Sequence, residues 1–338
     1  MLCARLFVYL SIATKLLNSS EMKISRKKFL ERSLAGTVAL GLAPVAEAVA
    51  AASGGKARIK GKRVLLIGLD GICVDGLVKA RTPRLDALLA EGVVSMSTRV
   101  VMPSVTLPNW TSHLTGSGPE QHGVVDNGWT KEKFVLPAVA RDADGYYPSV
   151  FKVLKEARPD AKTAFYYNWI NLFYPYNERY IDESRYLEND AYVPYYDRAL
   201  EFMLENRDKP TLVFLYSVHT DHAGHKYKWM SPEYIRSIEE ADTEIGRLLD
   251  RMRGEGIYDD THIMFLSDHG GIEYGHGGVT VHEMLVPWGI AGPGIARGVE
   301  MKQANNTVNT AAVILRLFGI DRPDCWTGEV PDEIFARR

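Results

Sequence analysis

The sequence predicts an α/β protein: a mostly parallel central sheet with helices on both faces, carrying an aromatic-rich cap insertion. Three observations predict it. Three apolar, β-branched-rich runs, "RVLLIGLDG", "TLVFLYSVHTD" and "THIMFLSDHG", recur along the chain. Runs that stay apolar throughout, rather than alternating, read as strands buried on both faces of a parallel sheet. Amphipathic helical patterns alternate with these runs, which argues for helices packed against a shared sheet. Each run also ends in acidic or imidazole residues, and the ligand site of such sheets lies beyond the carboxyl ends of the strands.

In chain order, the first fifty residues read as targeting sequence. "KISRKKFLERSLAGTVALGLAPVAEAVAA" has a basic start, a mildly apolar stretch and an Ala-x-Ala pattern around Ala46–Ala50. "SRKKFL", Ser25 to Leu30, resembles the twin-arginine export motif with Lys27 in place of the second arginine. Met22 is the expected initiator. A membrane anchor is the competing reading, but glycines, Pro44 and Glu47 interrupt the apolar stretch. A cleaved signal over 1–50 is expected, with a catalytic domain over 57–338 working in the periplasm or outside the cell and no stable membrane insertion.

Past the leader, "RVLLIGLDG" is the first strand. "TPRLDALLAEG" is a helix opened by Thr82-Pro83 and closed at Gly92. "SVFKVLKEARPD", "YYDRALEFMLENRDKP", "SPEYIRSIEEADTEIGRLLDRMRGEG" and "NTVNTAAVILRLFGI" supply further helices. Between Gly128 and Pro210 the pattern loosens into "AFYYNWINLFYPYNERY" and "YLENDAYVPYY". That stretch reads either as a strand with a packed surface excursion or as a cap whose flat side chains shape a pocket. No internal repeat or heptad pattern follows the leader.

The formal net charge of −2 points to no nucleic-acid or anionic-membrane partner. Cys3, Cys73 and Cys325 are too few for a disulfide scaffold and lack zinc-finger spacing. The chemistry must therefore come from the strand ends. Asp70, Asp268 and His269 offer two carboxylates and an imidazole. Asp221 and His225, in "DHAGH", offer a pair four residues apart, and His276 sits between glycines in "GHGG". This mixed oxygen and nitrogen set suits Zn²⁺, or Mn²⁺. Six such ligands are too many for one tetrahedral ion and divide well between two. Thr106, in "PSVTLPNWTSHLTG", precedes a Leu-Pro pair that favours a first helical turn. It either caps the helix or presents a hydroxyl where amides and dipole attract phosphate, and where a cation turns that hydroxyl into a nucleophile. Trp110, one turn on, reads as core or as a border to the substrate.

Together "LIGLDG", "MPSVTLPNWTSHLTG", "GPEQHGVVDN", "TDHAGH", "SDHGG" and "GHGG" resemble the type I phosphodiesterase/nucleotide pyrophosphatase branch of the alkaline phosphatase superfamily. The resemblance implies an alkaline phosphatase-like fold. It also implies one ion held by Asp70, Thr106, Asp268 and His269, and a second by Asp221, His225 and His276. It makes Thr106 the nucleophile and Asn127 a donor to the phosphoryl oxygen. This sequence departs from the family in "GICVDGL", which lacks an arginine two residues after "DG", and in the short spacing from His269 to His276. In "GHGGVTVHEMLVP", His282 is a rival for the third ligand of the second ion.

The expected activity is metal-dependent hydrolysis of a small-molecule phosphate ester. Three carboxylates and an ionised Thr106 would nearly neutralise two dications, which suits a singly charged diester. Arg99 and Lys226 lie near the motifs and could instead serve a monoester. Phosphomonoesterase or phospho-head-group transferase activity is the alternative, and a non-catalytic exported metal-binding protein the second. Neither "CVDGL" nor "CWTGE" provides the cysteine context of a sulfatase.

Overall fold

The computed structural model describes residues 62–336, all within one compact unit spanning 57–338. The leader expected over 1–50 lies outside the described residues. In chain order the elements are β1 (Arg63–Leu69), α1 (Val74–Lys79), α2 (Pro83–Ala90), β2 (Val93–Arg99), α3 (Thr106–Thr115) and α4 (Pro119–His122). Next come α5 (Val150–Ala157), β3 (Lys162–Tyr167), β4 (Glu183–Tyr186), α6 (Val193–Glu205), β5 (Thr211–Ser217) and α7 (His219–Tyr227). The chain closes with α8 (Pro232–Gly254), β6 (Thr261–Leu266), α9 (Val281–Met284), β7 (Leu285–Ala291), β8 (Val299–Glu300) and α10 (Asn309–Leu317).

The strands form one eight-stranded sheet in the order β4-β3-β5-β1-β6-β7-β2-β8. Among the described strands only β7 runs antiparallel to its neighbours, β6 and β2. The three apolar runs become the central strands β5, β1 and β6, and every residue in them is buried. Alternate side chains enter opposite cores, as the period of two requires. Val64 and Leu66 join Trp110 of α3, Phe151 of α5 and Ile314 of α10 on one face. Leu65, Ile67 and Leu69 join Leu85 of α2, Leu200 of α6 and Ile245 of α8 on the other.

Local chemistry sets the helix ends. Ser149 and Ser231 cap α5 and α8 by accepting from the amides of Lys152 and Tyr234. At α2, Thr82 and Pro83 occupy the cap and first turn as the sequence suggests. The Asp242 carboxylate of α8 accepts the free amides of Arg84 and Leu85, the latter at 2.7 Å.

Residues 128–149 form only turns and bends, and the rest of 128–210 supplies the strands β3 and β4 and the helices α5 and α6. The aromatic run begins as β3, seated between β4 and β5 with Phe165 and Tyr166 fully buried. It continues through a short 3-10 turn, Ile170–Phe173. Among the described residues no helix is long and apolar enough to cross a membrane.

Candidate metal centre

The parallel register of β1, β5 and β6 brings their carboxyl ends side by side. Asp70 follows β1 directly, and its amide donates to the Ser217 carbonyl at the end of β5 (3.0 Å). Asp268 and His269 follow β6, and both are fully buried. The apolar run to Asp221 divides in the structure: β5 stops at Ser217, and Asp221 lies in the first turn of α7. That turn puts Asp221 and His225 on one helix face, with Oδ2 and Nε2 3.5 Å apart. His276 arrives on the loop after β6, with its Nε2 3.7 Å from Asp221 Oδ1.

Thr106 is the first residue of α3, and its Oγ1 lies 3.2 Å from His269 Nε2. The same nitrogen lies 3.3 Å from Asp70 Oδ1 and 3.3 Å from Asp268 Oδ2. Ligands about 2.0 Å from a tetrahedral Zn²⁺ ion are separated by about 3.3 Å, which is the spacing of each of these three oxygens from His269 Nε2. Single ligand atoms of Asp70, Asp221 and His269 cluster within 4.8 Å, as do those of Asp221, His225 and His276. Asp221 thus reaches both groups.

Two further features fit cations. Asp70 Oδ1, Asp221 Oδ1 and Asp268 Oδ2 are buried without any hydrogen-bond partner, a costly state unless something positive faces them. All three imidazoles are also turned the same way. His269 Nδ1 donates to the Gly270 carbonyl (2.9 Å), His225 Nδ1 to that of Tyr274 (2.9 Å) and His276 Nδ1 to that of Ser104 (3.0 Å). Each bond uses Nδ1 as the donor and turns Nε2 toward the acidic cluster, where loss of its proton would leave a lone pair for a cation.

The electrostatics follow from this crowding. Burial, then the Asp70 charge, holds the Asp268 carboxyl well above its ordinary range and pushes Asp221 up to about 8. Burial also pushes Asp70 up, but the charge of His269 facing Oδ1 and the Tyr216 hydroxyl on Oδ2 outweigh it and leave Asp70 below its usual value. For His269, burial opposes charging, yet Asp268 and Asp70 raise it to about 10. Burial and the neighbouring His269 charge drop His276 to about 3. The protein alone therefore keeps protons where dications would displace them.

Asn127 sits beside the start of α3. Its Oδ1 accepts the Leu107 amide (2.8 Å), which turns Nδ2 the other way, and its carbonyl accepts from Asn171 Nδ2 (3.0 Å). His282 lies elsewhere, on α9, with Nδ1 2.9 Å from Asp75 and half its surface in solvent. The Trp110 ring is core, fully buried, although its Nε1 donates to Asp70 Oδ2 at 3.3 Å.

Sequence reasoning passed over several supporting residues. Tyr216 donates its hydroxyl to Asp70 Oδ2, and the only signal for it is a phenol in an apolar strand. Trp229 packs edge-on to His225 and donates Nε1 to the Gly71 carbonyl (3.0 Å). It explains a motif glycine: a Cβ on Gly271 would lie 2.2 Å from the Trp229 ring. Gly71 itself adopts φ +72, where a Cβ would meet the Asp221 backbone at 2.9 Å.

Residues 64–303, more than two thirds of the chain, match the family model described as type I phosphodiesterase/nucleotide pyrophosphatase. The chain belongs to this family. Its relatives include an uncharacterized pyrophosphatase/phosphodiesterase of Schizosaccharomyces pombe, 31% identical over 228 residues that cover 61% of this chain and 44% of that one. A Homo sapiens bis(5'-adenosyl)-triphosphatase is 28% identical over 222 residues, 62% of this chain and 47% of that one. The chain thus spans less than half the length of these two relatives. Among solved structures, murine ectonucleotide pyrophosphatase/phosphodiesterase 5, as an inactive variant in complex with AMP, superimposes with a TM-score of 0.67. That match has 15% identity and covers 79% of this chain and 97% of that one. The likeness extends the α/β family fold to this sheet and its helices.

Proposed function

We propose that this chain is an exported, metal-dependent phosphodiesterase/nucleotide pyrophosphatase acting through a Thr106 nucleophile. The observation that carries this reading is the convergence of three partnerless carboxylate oxygens and three oriented imidazole nitrogens beside one hydroxyl. Asp70, Thr106, Asp268 and His269 would hold one divalent ion, and Asp221, His225 and His276 a second, with Zn²⁺ or Mn²⁺ suited to the donor set. Bound there, such ions supply the positive charge that eases deprotonation of a hydroxyl and offsets charge on a phosphoryl group.

The residues then have distinct tasks. Thr106 Oγ attacks phosphorus as the bond to the leaving oxygen breaks, giving phosphothreonine and an alcohol or nucleotide that takes up a proton. Asn127 Nδ2, turned away from the Leu107 amide, donates to a non-bridging phosphoryl oxygen. Water then attacks the same phosphorus, the Thr106 oxygen departs and is reprotonated, and a monoester is released. The near-neutral balance of three carboxylates, an ionised threonine and two dications favours a diester. The AMP held by the murine neighbour is the kind of product this chemistry releases.

The leader over 1–50 would be removed on export, leaving the 57–338 domain in the periplasm or outside the cell. Part of 128–210 would shape the leaving-group side: the turn Ile170–Phe173 reaches Asn127 through Asn171, with Ile170 and Tyr174 exposed beside it.

Zinc-reconstituted protein is expected to hydrolyse bis-p-nitrophenyl phosphate faster than p-nitrophenyl phosphate and to leave p-nitrophenyl sulfate untouched. Faster monoester turnover would reverse the diester assignment. His276→Ala is expected to lower zinc content from two ions toward one, while His282→Ala leaves it unchanged. The opposite pattern by elemental analysis would move the third ligand to His282.

A further inference from the structure

A buried carboxylate ordinarily spreads its hydrogen bonds over both oxygens. Asp70 does not. The Tyr216 hydroxyl and Trp110 Nε1 both donate to Oδ2, and Oδ1 has no hydrogen-bond donor although it is equally buried. That bare oxygen is the one facing His269 Nε2 at 3.3 Å. We infer that Tyr216 and Trp110 are positioning residues whose paired donation to Oδ2 fixes the Asp70 carboxylate so that Oδ1 alone is presented as a cation ligand. The inference rests on the two-cation reading above.

The surroundings make the arrangement specific. The two rings meet edge to face, with centroids 5.5 Å apart. Tyr216 and Trp110 are both closed to solvent, so no water replaces either donor on Oδ2. Tyr216 stands opposite Gly68 in the β1–β5 register. A Cβ on Gly68 would come within 2.5 Å of the Trp110 ring, so the glycine leaves the room the indole occupies. Trp110 also lies one turn beyond Thr106 on α3. The helix that carries the hydroxyl therefore carries one of the two donors, and it ties the Asp70 carboxylate to the start of that helix through side chains alone.

Tyr216→Phe removes one donor and keeps the ring. In the full chain, zinc affinities from competition with a chromophoric chelator are expected to show one of two sites weakened by about 10- to 100-fold, with the other within twofold. A double-mutant cycle supplies the second measurement. If Tyr216 acts through Asp70, adding Tyr216→Phe to Asp70→Asn lowers zinc affinity no further. Unchanged affinity at both sites, equal weakening of both, or full additivity in the cycle overturns the positioning role. A wild-type chain that binds no zinc overturns the two-cation reading, and this inference with it.

Discussion

Thr106→Ala is expected to reduce turnover of bis-p-nitrophenyl phosphate by at least about 10³-fold, the usual scale for removing a nucleophile that acts in concert with its site. Bound zinc should remain close to the wild-type amount. The argument is geometric. Thr106 Oγ1 is one of three oxygens grouped around His269 Nε2, and its removal leaves Asp70, Asp268 and His269 in place. Alanine also suits the first turn of α3, where the threonine side chain makes no capping bond. Thr106→Ser, which keeps a hydroxyl, should retain measurable turnover and should trap phosphate on the residue under rapid-quench conditions. Turnover by the alanine variant within tenfold of wild type would remove Thr106 from the chemistry.

Stripping the metal is expected to have the second large effect: complete loss of turnover, restored by Zn²⁺ or Mn²⁺, and a stability loss that grows with pH. The sign follows from the shifted groups. In the metal-free chain Asp221 is raised to about 8 and His269 to about 10. Each stabilises the fold in its protonated form, fully below its unfolded value, and that contribution is lost as pH rises through the folded value. Asp268, also raised, acts in the same direction. Asp70, held low, acts oppositely, losing its contribution only as pH falls into the acid range. Between pH 6 and 9 the metal-free melting temperature should therefore fall. Cation binding requires the deprotonated ligands, so its stabilisation should increase over the same window. Zinc at a hundredfold above its Kd would add about 2.7 kcal/mol, roughly 4–5 °C for a domain of this size. Melting curves with and without chelator at three pH values check this. A gap that narrows as pH rises would contradict the assignment of these groups as cation ligands.

The parts of the fold legible in the sequence are those buried on two faces. β1, β5 and β6 are apolar at every position because helices cover both sides, so their runs stand out. β2, with its mixed burial, and β7, which contains Pro287 and Gly289, give no such run. The aromatic stretch is ambiguous, and the depth of β3 in the sheet is not legible from it, because tyrosines look the same in sequence whether they pack or face a pocket. At the candidate metal centre, the carboxylates and imidazoles stand out in the sequence because ligand chemistry restricts residue type. The groups that aim them do not. Gly270, Tyr274 and Ser104 contribute carbonyls, which every residue possesses, so no side-chain pattern marks them.

That last feature divides the centre into two kinds of dependence. The histidine side survives more rewriting of its surroundings: any residue at 104 or 274 that keeps the local chain path still offers an oxygen to the ring behind it, whereas at Gly270 a Cβ would lie 1.9 Å from the His282 carbonyl oxygen. The Asp70 side has no such tolerance, because a phenol and an indole must both persist. Drift in sequence can thus leave the imidazoles aligned while a single exchange in a strand interior quietly detunes the opposite wall.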